Sequence, residues 1–279
     1  MKASWCLGFL ATAFLALSLV ALSGCGGEVK PPRTKKAGGG VAAKTDEGSG
    51  SEGSGESSLV QTGNEPYPTA QATATVTGVV KLDGPGEKMR KIDMSADPKC
   101  KGEDMLFETV ITGENNELAN CVIYISKGVE KYSFPTPSAA AVIDQKGCKY
   151  LPHVVAIQTG QPVELKNSDP TLHNINCTQD GSALFNISQT PGKTDIKKLE
   201  DQGVAKLVCN VHPWMSGYAR VLPHNLSAVT EKDGKFALPK LPPGKYTVTA
   251  WHEKLKTKSV EVEVADGESK AVEIVFPAK

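Results

Sequence analysis

The sequence predicts an all-β protein. Glycine and proline are frequent, at 27 and 18 of 279 residues, while aromatic residues make up only 6%, and this composition is typical of turn-rich β folds. Between about residues 140 and 223, short apolar runs recur at close spacing, and none has sustained helical periodicity. Near the C-terminus apolar and polar residues alternate, which places one face of a strand on a core and the other in water.

The first 25 residues predict export. Lys2 is followed by an apolar run over 7–22, which is too short and too closely followed by Gly and polar residues for a membrane span. It ends in Leu22-Ser23-Gly24-Cys25, which resembles the lipobox of bacterial lipoproteins rather than an ordinary cleavage site with an incidental cysteine. The resemblance implies a lipid on Cys25. Because Gly and not Asp follows Cys25, it also implies anchoring in the outer membrane.

Residues 26–73 are rich in Gly, Ser and Glu, and predict a flexible linker that cannot form a core. Beyond it, five cysteines remain in a chain that is expected to meet an oxidising compartment. An odd number leaves at least one thiol unpaired within the molecule. The five are Cys100, Cys121, Cys148, Cys177 and Cys209.

Strand-like segments begin at 75–82, closed by an Asp-Gly-Pro-Gly turn, and continue at 121–126, while 87–119 has no readable pattern. Seven further segments within 84 residues predict a small β-sandwich. They are 140–145, 153–159, 162–167, 172–177, 184–188, 203–209 and 217–222. After residue 233, two turns each lead into a strand, and alternating strands complete a second β unit.

The run Cys209-Asn210-Val211-His212-Pro213-Trp214-Met215 offers a thiolate, an imidazole and a thioether, with two residues between each. This soft, mixed set suits copper. Zinc prefers four strong donors and gains little from Met, and haem attachment would need Cys-x-x-Cys-His, which the sequence lacks. A second imidazole would come from His173, which lies 36 residues before Cys209 at the end of a strand-like segment.

Residues 140–223 resemble a cupredoxin of the plastocyanin/amicyanin group, which has a Greek-key β-sandwich fold. The resemblance is carried by Val163-Glu164-Leu165-Lys166-Asn167, by His173-Asn174 and by the short Cys-x-x-His-Pro-x-Met loop. It implies one type 1 (blue) copper site, with His173, Cys209 and His212 as equatorial ligands and Met215 as the axial one.

The same resemblance implies roles for the neighbours of these ligands. Asn174 would tie the His173 strand to the ligand loop. Pro213 and Trp214 would form an apolar patch around an exposed edge of His212, through which single electrons would pass to a redox protein.

Residues 226–277 resemble a carboxypeptidase-regulatory-like (transthyretin-type) β-sandwich, through Asp233-Gly234-Lys235-Phe236 and Leu241-Pro242-Pro243-Gly244-Lys245-Tyr246. Gly78-Val79-Val80 and Val122-Ile123-Tyr124 fit the first strands of such a module, so 74–139 is expected to be its first part and 224–279 the remainder. We expect the cupredoxin to be inserted into this sandwich, with a tandem of the two modules as the alternative. A Cys100–Cys148 disulfide would join the modules, and Cys177 would be a buried thiol or pair with Cys121.

Two other functions remain open at this stage. One is copper storage or delivery without electron transfer, and the other is an adhesion or carbohydrate-binding scaffold. A nucleic-acid partner is not expected, because 31 basic residues are balanced by 31 acidic ones. An enzyme is the least expected function, since four protein ligands leave no open metal position for a substrate.

Overall fold

A computed structural model of the chain describes residues 62–100 and 105–278, and the regular secondary structure in this part of the protein is almost entirely β-strand. The predicted all-β fold is therefore confirmed. The predicted signal peptide 1–25, with the predicted lipidation site Cys25, and most of the predicted linker lie outside the described residues. Within the described ranges, no helix is long and apolar enough to cross a membrane.

The elements are numbered in chain order, with strands as β and the two short 3₁₀ helices as η. They are β1 Glu65–Pro66, η1 Thr69–Gln71, β2 Thr75–Asp83, η2 Pro98–Cys100, β3 Val122–Lys127, β4 Tyr132–Ser133, β5 Ala141–Gln145, β6 Tyr150–Leu151, β7 Val154–Gln158, β8 Pro162–Asn167, β9 His173–Gln179, β10 Ser182–Gln189, β11 Thr194–Lys198, β12 Gly203–Val208, β13 Ser216–Leu222, β14 Ser227–Val229, β15 Lys235–Ala237, β16 Gly244–His252, β17 Lys256–Val264 and β18 Ser269–Pro277.

Strands β5 to β13 form two sheets that enclose a core of their own, which we call the central sandwich. One sheet has the order β10-β9-β12-β13-β7 and the other the order β11-β8-β5-β6. The alternation in β8 shows why the sequence folds this way, because Val163, Leu165 and Asn167 are buried while the residues between them are partly exposed. The sequence predicted seven of these nine strands and missed the short β6 and the largely exposed β11.

Two further sheets lie outside the central sandwich and share a second core. Their strand orders are β14-β3-β16-β17 and β15-β2-β18. β3 pairs with β14 and β16, and β2 pairs with β15 and β18. Each sheet therefore combines strands from before and after residues 141–222, which is the pairing that an insertion requires. We call these two sheets the flanking sandwich.

The predicted flexible linker was expected to reach residue 73, and this boundary was wrong for residues 62–73. β1 pairs with β4, and Ala72 is buried. The Tyr67 ring lies 4.9 Å from that of Phe134, and its hydroxyl donates to the Lys240 carbonyl at 2.7 Å. An aromatic anchor therefore ends the linker earlier than composition alone indicates.

Residues 84–100 contain no strand, yet part of this segment packs on the central sandwich. Met94 and Cys100 are buried in the core cluster of that sandwich, and Ile92 packs against it. Cys100 forms a disulfide with Cys148, the pair that the sequence analysis suggested, with 5.5 Å between their Cα atoms. The segment therefore lies over the end of the central sandwich that holds the candidate site.

Candidate metal centre

The candidate ligands are brought together by two neighbouring strands of one sheet. β9 and β12 are paired, with Asn176 opposite Val208, so His173 at the start of β9 lies beside the loop that follows β12. That loop is closed by its own backbone. The Cys209 amide donates to the Met215 carbonyl at 3.2 Å, and the Met215 amide donates to the His212 carbonyl at 2.9 Å.

Three donor atoms converge at this point. Nδ1 of His173 lies 2.9 Å from Nδ1 of His212, and Sγ of Cys209 lies 3.8 Å from Nδ1 of His212. The ligand atoms of the three residues all lie within 4.8 Å of one another, and all three side chains are buried. The backbone amides of Asn174 and His212 point at the Cys209 sulfur, each at 3.4 Å.

The outer nitrogens of both imidazoles face carboxylates. Nε2 of His173 lies 2.8 Å from Oδ2 of Asp169, and Nε2 of His212 lies 3.1 Å from Oδ2 of Asp97. An ionised carboxylate only accepts hydrogen bonds, so each Nε2 carries the ring proton. A neutral ring that is protonated at Nε2 presents a lone pair at Nδ1. Two such lone pairs at 2.9 Å would be satisfied by a shared proton or by a metal ion that both rings bind.

The donor set fits copper. Two imidazole nitrogens, one thiolate and a thioether are the combination found in blue copper sites. Met215 is 1% exposed and lies in the same core cluster as Cys209. His173, Cys209, His212 and Met215 are therefore the residues that would hold the ion.

Burial and hydrogen bonding tune the charges around the site. Burial lowers the pKa of His173, and the hydrogen bond that its ring donates to Asp169 opposes this shift. The pKa of Asp97 is lowered to about 2, first by the Lys99 backbone amide and then by the Thr171 hydroxyl and the His212 ring. Asp97 is therefore an anion at neutral pH.

The residues that were predicted to surround the ligands have mixed outcomes. Oδ1 of Asn174 accepts a hydrogen bond from the Asn210 amide at 3.1 Å, and so links β9 to the ligand loop. The Trp214 ring centroid lies 5.1 Å from that of His212, and its Nε1 donates to the Cys148 carbonyl at 3.2 Å. Pro213 is exposed beside it.

The predicted exposed edge of His212 was wrong. The side chain is 2% exposed, and Asp97 from the segment before the central sandwich occupies its outer nitrogen. The physical reason is the packing of that segment against the core of the central sandwich, which covers the ring. The apolar residues that do face solvent near the ligands are Leu172 and Val211, at 45% and 48% exposure.

Sequence reasoning missed both carboxylates. Asp169 carried a weak signal, because it precedes His173 by four residues in a turn-like run. Asp97 carried no signal, since it is 115 residues from His212 in a segment without a readable pattern.

The described cysteines and histidines outside the candidate metal site are buried or hydrogen-bonded. Cys121 and Cys177 are both free and buried, so the suggested pairing between them was wrong. His153 is hydrogen-bonded to Glu253 and to the Ser216 carbonyl. His224 bonds the Ile125 carbonyl.

One protein family matches part of the chain. Residues 218–277 match the Carboxypeptidase regulatory-like domain family. This match confirms the predicted regulatory-like module for the last five strands. No curated protein matches the sequence.

Several solved structures are similar to part of the chain. A purple cupredoxin from Nitrosopumilus maritimus is 29% identical, with a TM-score of 0.27 over 29% of this chain and 98% of its own. Amicyanin from Paracoccus versutus is 24% identical, with a TM-score of 0.28 over 36% of this chain and 96% of its own. A copper-containing nitrite reductase from Thermus scotoductus SA-01 is 22% identical, with a TM-score of 0.28 over 33% of this chain and 23% of its own. Scores this low describe partial likeness and assign no function.

Proposed function

We propose that this protein is a type 1 copper protein that transfers single electrons and is not an enzyme. The observation that carries the proposal is the pair of facing Nδ1 atoms, 2.9 Å apart, with Cys209 Sγ beside them and both Nε2 atoms on carboxylates. Bound copper would supply a one-electron couple at this point.

The chain's own residues support a site that changes little between oxidation states. The strand pairing of β9 and β12 fixes the relative positions of His173 and Cys209. The backbone of the 209–215 loop is closed by two hydrogen bonds. Ligands that are held in this way need little rearrangement when charge changes, and tight holding also opposes the release that a delivery protein requires.

A redox protein is the proposed partner. Leu172 directly precedes one candidate ligand, Val211 and Pro213 flank another, and all three side chains are exposed. A small exposed apolar surface beside a buried redox site suits brief contact with a partner. We further propose that the protein is exported and anchored to the outer membrane through a lipid on Cys25, and that it binds no nucleic acid.

The test is the visible and electron-spin-resonance spectrum of the full chain, purified from bacterial membranes in detergent and titrated with Cu(II). We expect one ion per chain and an intense thiolate-to-copper band that Cys209→Ser abolishes. Cys177→Ser is the matched control, because Cys177 is also a buried free thiol in the same core. Folded wild-type protein without the band would refute the proposal. The mass of the N-terminal peptide from the same preparation tests the lipid on Cys25.

A binding scaffold is the second candidate. An open groove lies along the edge strands β14 and β15, lined by Thr77, Val79, Val229, Lys235 and Phe236 among others. Its one aromatic lining residue, Phe236, is 6% exposed, so the groove offers little surface on which a sugar ring could stack. This observation favours the copper function over carbohydrate binding.

A further inference from the structure

We infer that Asp97 is a positioning residue for His212 that is supplied from outside the central sandwich, and that the Cys100–Cys148 disulfide holds it in place as a cap over the site. This inference deepens the proposed function and rests on it.

The contacts of Asp97 fix both of its carboxylate oxygens. Oδ2 accepts from Nε2 of His212 at 3.1 Å and from the Thr171 hydroxyl at 2.8 Å, while Oδ1 accepts from the Lys99 amide at 2.8 Å. One oxygen therefore joins His212 to the turn that precedes His173. A carboxylate on the outer nitrogen of a metal-binding imidazole fixes the tautomer and the ring orientation, and raises the basicity of the ligand nitrogen.

The disulfide lies against both carboxylates. Cys100 follows Asp97 by three residues, and the Cys100 amide donates to the Asp97 carbonyl at 3.0 Å. On the other side of the bond, the Cys148 amide donates to Oδ2 of Asp169, the same oxygen that faces His173. The sulfur of Cys100 lies within 4.8 Å of the ligand atoms of Asp97 and His212, and that of Cys148 lies equally near those of Asp169 and His173.

One covalent bond thus joins the segment that carries Asp97 to the turn whose Cys148 amide holds Asp169. The segment also covers the site, because His212 is 2% exposed although Val211 and Pro213 on either side of it are exposed. Asp97 is itself partly exposed, at 20% of its side chain. Its carboxylate therefore lies between the buried His212 ring and solvent.

The test compares Asp97→Asn with Asp93→Asn in the full chain. Asp93 lies in the same segment and is exposed, and among the described residues its carboxylate accepts from the Ser95 amide. Its Asn variant is therefore matched in charge. We expect Asp97→Asn to lower Cu(II) affinity by about 10- to 100-fold, as for other residues that orient metal ligands. We also expect a rise in reduction potential, because loss of a negative charge disfavours Cu(II) more than Cu(I). Asp93→Asn should leave both quantities at their wild-type values.

A second measurement uses metal-free protein and does not depend on copper. Modification of His212 by diethyl pyrocarbonate, located by mass spectrometry, should be slow in the wild type. It should be faster in Asp97→Ala and in the Cys100→Ala/Cys148→Ala variant.

The two measurements separate failure of the inference from failure of the proposed function. A copper band in the wild type, with equal affinity and potential in the two Asn variants, overturns the inference alone. If wild-type protein shows no copper band, the copper function is overturned. If His212 is nevertheless modified slowly only when Asp97 and the disulfide are present, the cap stands. Equal modification rates in all the proteins overturn the cap.

Discussion

Removing the Cys100–Cys148 disulfide should cost the protein a large part of its stability. The bond closes a loop across a sequence separation of 48 residues. The chain-entropy relation gives a loss of about 4 kcal/mol at 25 °C for a loop of this length. Folded domains have unfolding free energies of about 5–15 kcal/mol, so the Cys100→Ala/Cys148→Ala variant is expected to fold with a clearly lowered urea midpoint.

The assay is equilibrium urea unfolding of the copper-free full chain, followed by tryptophan fluorescence. Cys177→Ala is the control for loss of a buried sulfur without loss of a crosslink, since Cys177 is fully buried in the same core cluster and unpaired. This control should lose about 1 kcal/mol. If the double variant lost no more than twice the loss of Cys177→Ala, the disulfide would contribute no crosslinking stability, and the reasoning would be refuted.

Two further predictions concern the flanking sandwich. Burial lowers the pKa of both His224 and His252 to about 4. In the unfolded chain these histidines bind a proton near pH 6.5, and in the folded protein they do not. The free energy of unfolding should therefore be highest above pH 6.5 and fall by on the order of 2 kcal/mol per histidine between pH 6.5 and 5. Urea unfolding at both pH values measures the loss, and ring-proton titrations with midpoints near 6.5 would contradict it. The second prediction uses a variant that replaces residues 141–222 with a short Gly-Ser linker and carries Cys100→Ser. It should keep the flanking sandwich, because β3 and β14 lie side by side with Tyr124 opposite Ser227. An unstructured circular-dichroism spectrum would show that the sandwich depends on the segment removed.

The strands that were predicted correctly are defined by local features of the sequence, namely apolar alternation and adjoining turns. β8 was predicted at its observed bounds, because alternating apolar residues and an adjoining turn define it locally. The ligand loop could be predicted for the same reason, since three of the four candidate ligands of the site lie within its seven residues. In β11 the exposed Ile196 faces solvent, so apolar periodicity gave no guide.

The features that were not predicted depend on contacts between distant parts of the chain. Asp97 reaches His212 across 115 residues, and nothing in its own surroundings marks it as a ligand partner. The burial of His212 follows from the same contact, so a resemblance limited to residues 140–223 could not include it. The early end of the predicted linker depends on ring contacts of Tyr67 with Tyr132 and Phe134, which are distant in sequence.

The pairing of β2 with β18 has a consequence for the order in which the protein folds. The two strands run parallel along their full length, with Thr75 opposite Ser269, so the first long strand pairs with the last. The strands of the central sandwich are continuous in sequence and pair with one another, so its two sheets can form while the chain is still incomplete. One edge of β2 stays unpaired until the end of the chain arrives, and contacts this far apart in sequence form slowly. During that interval the unpaired edge of β2 can pair with another chain, which favours aggregation.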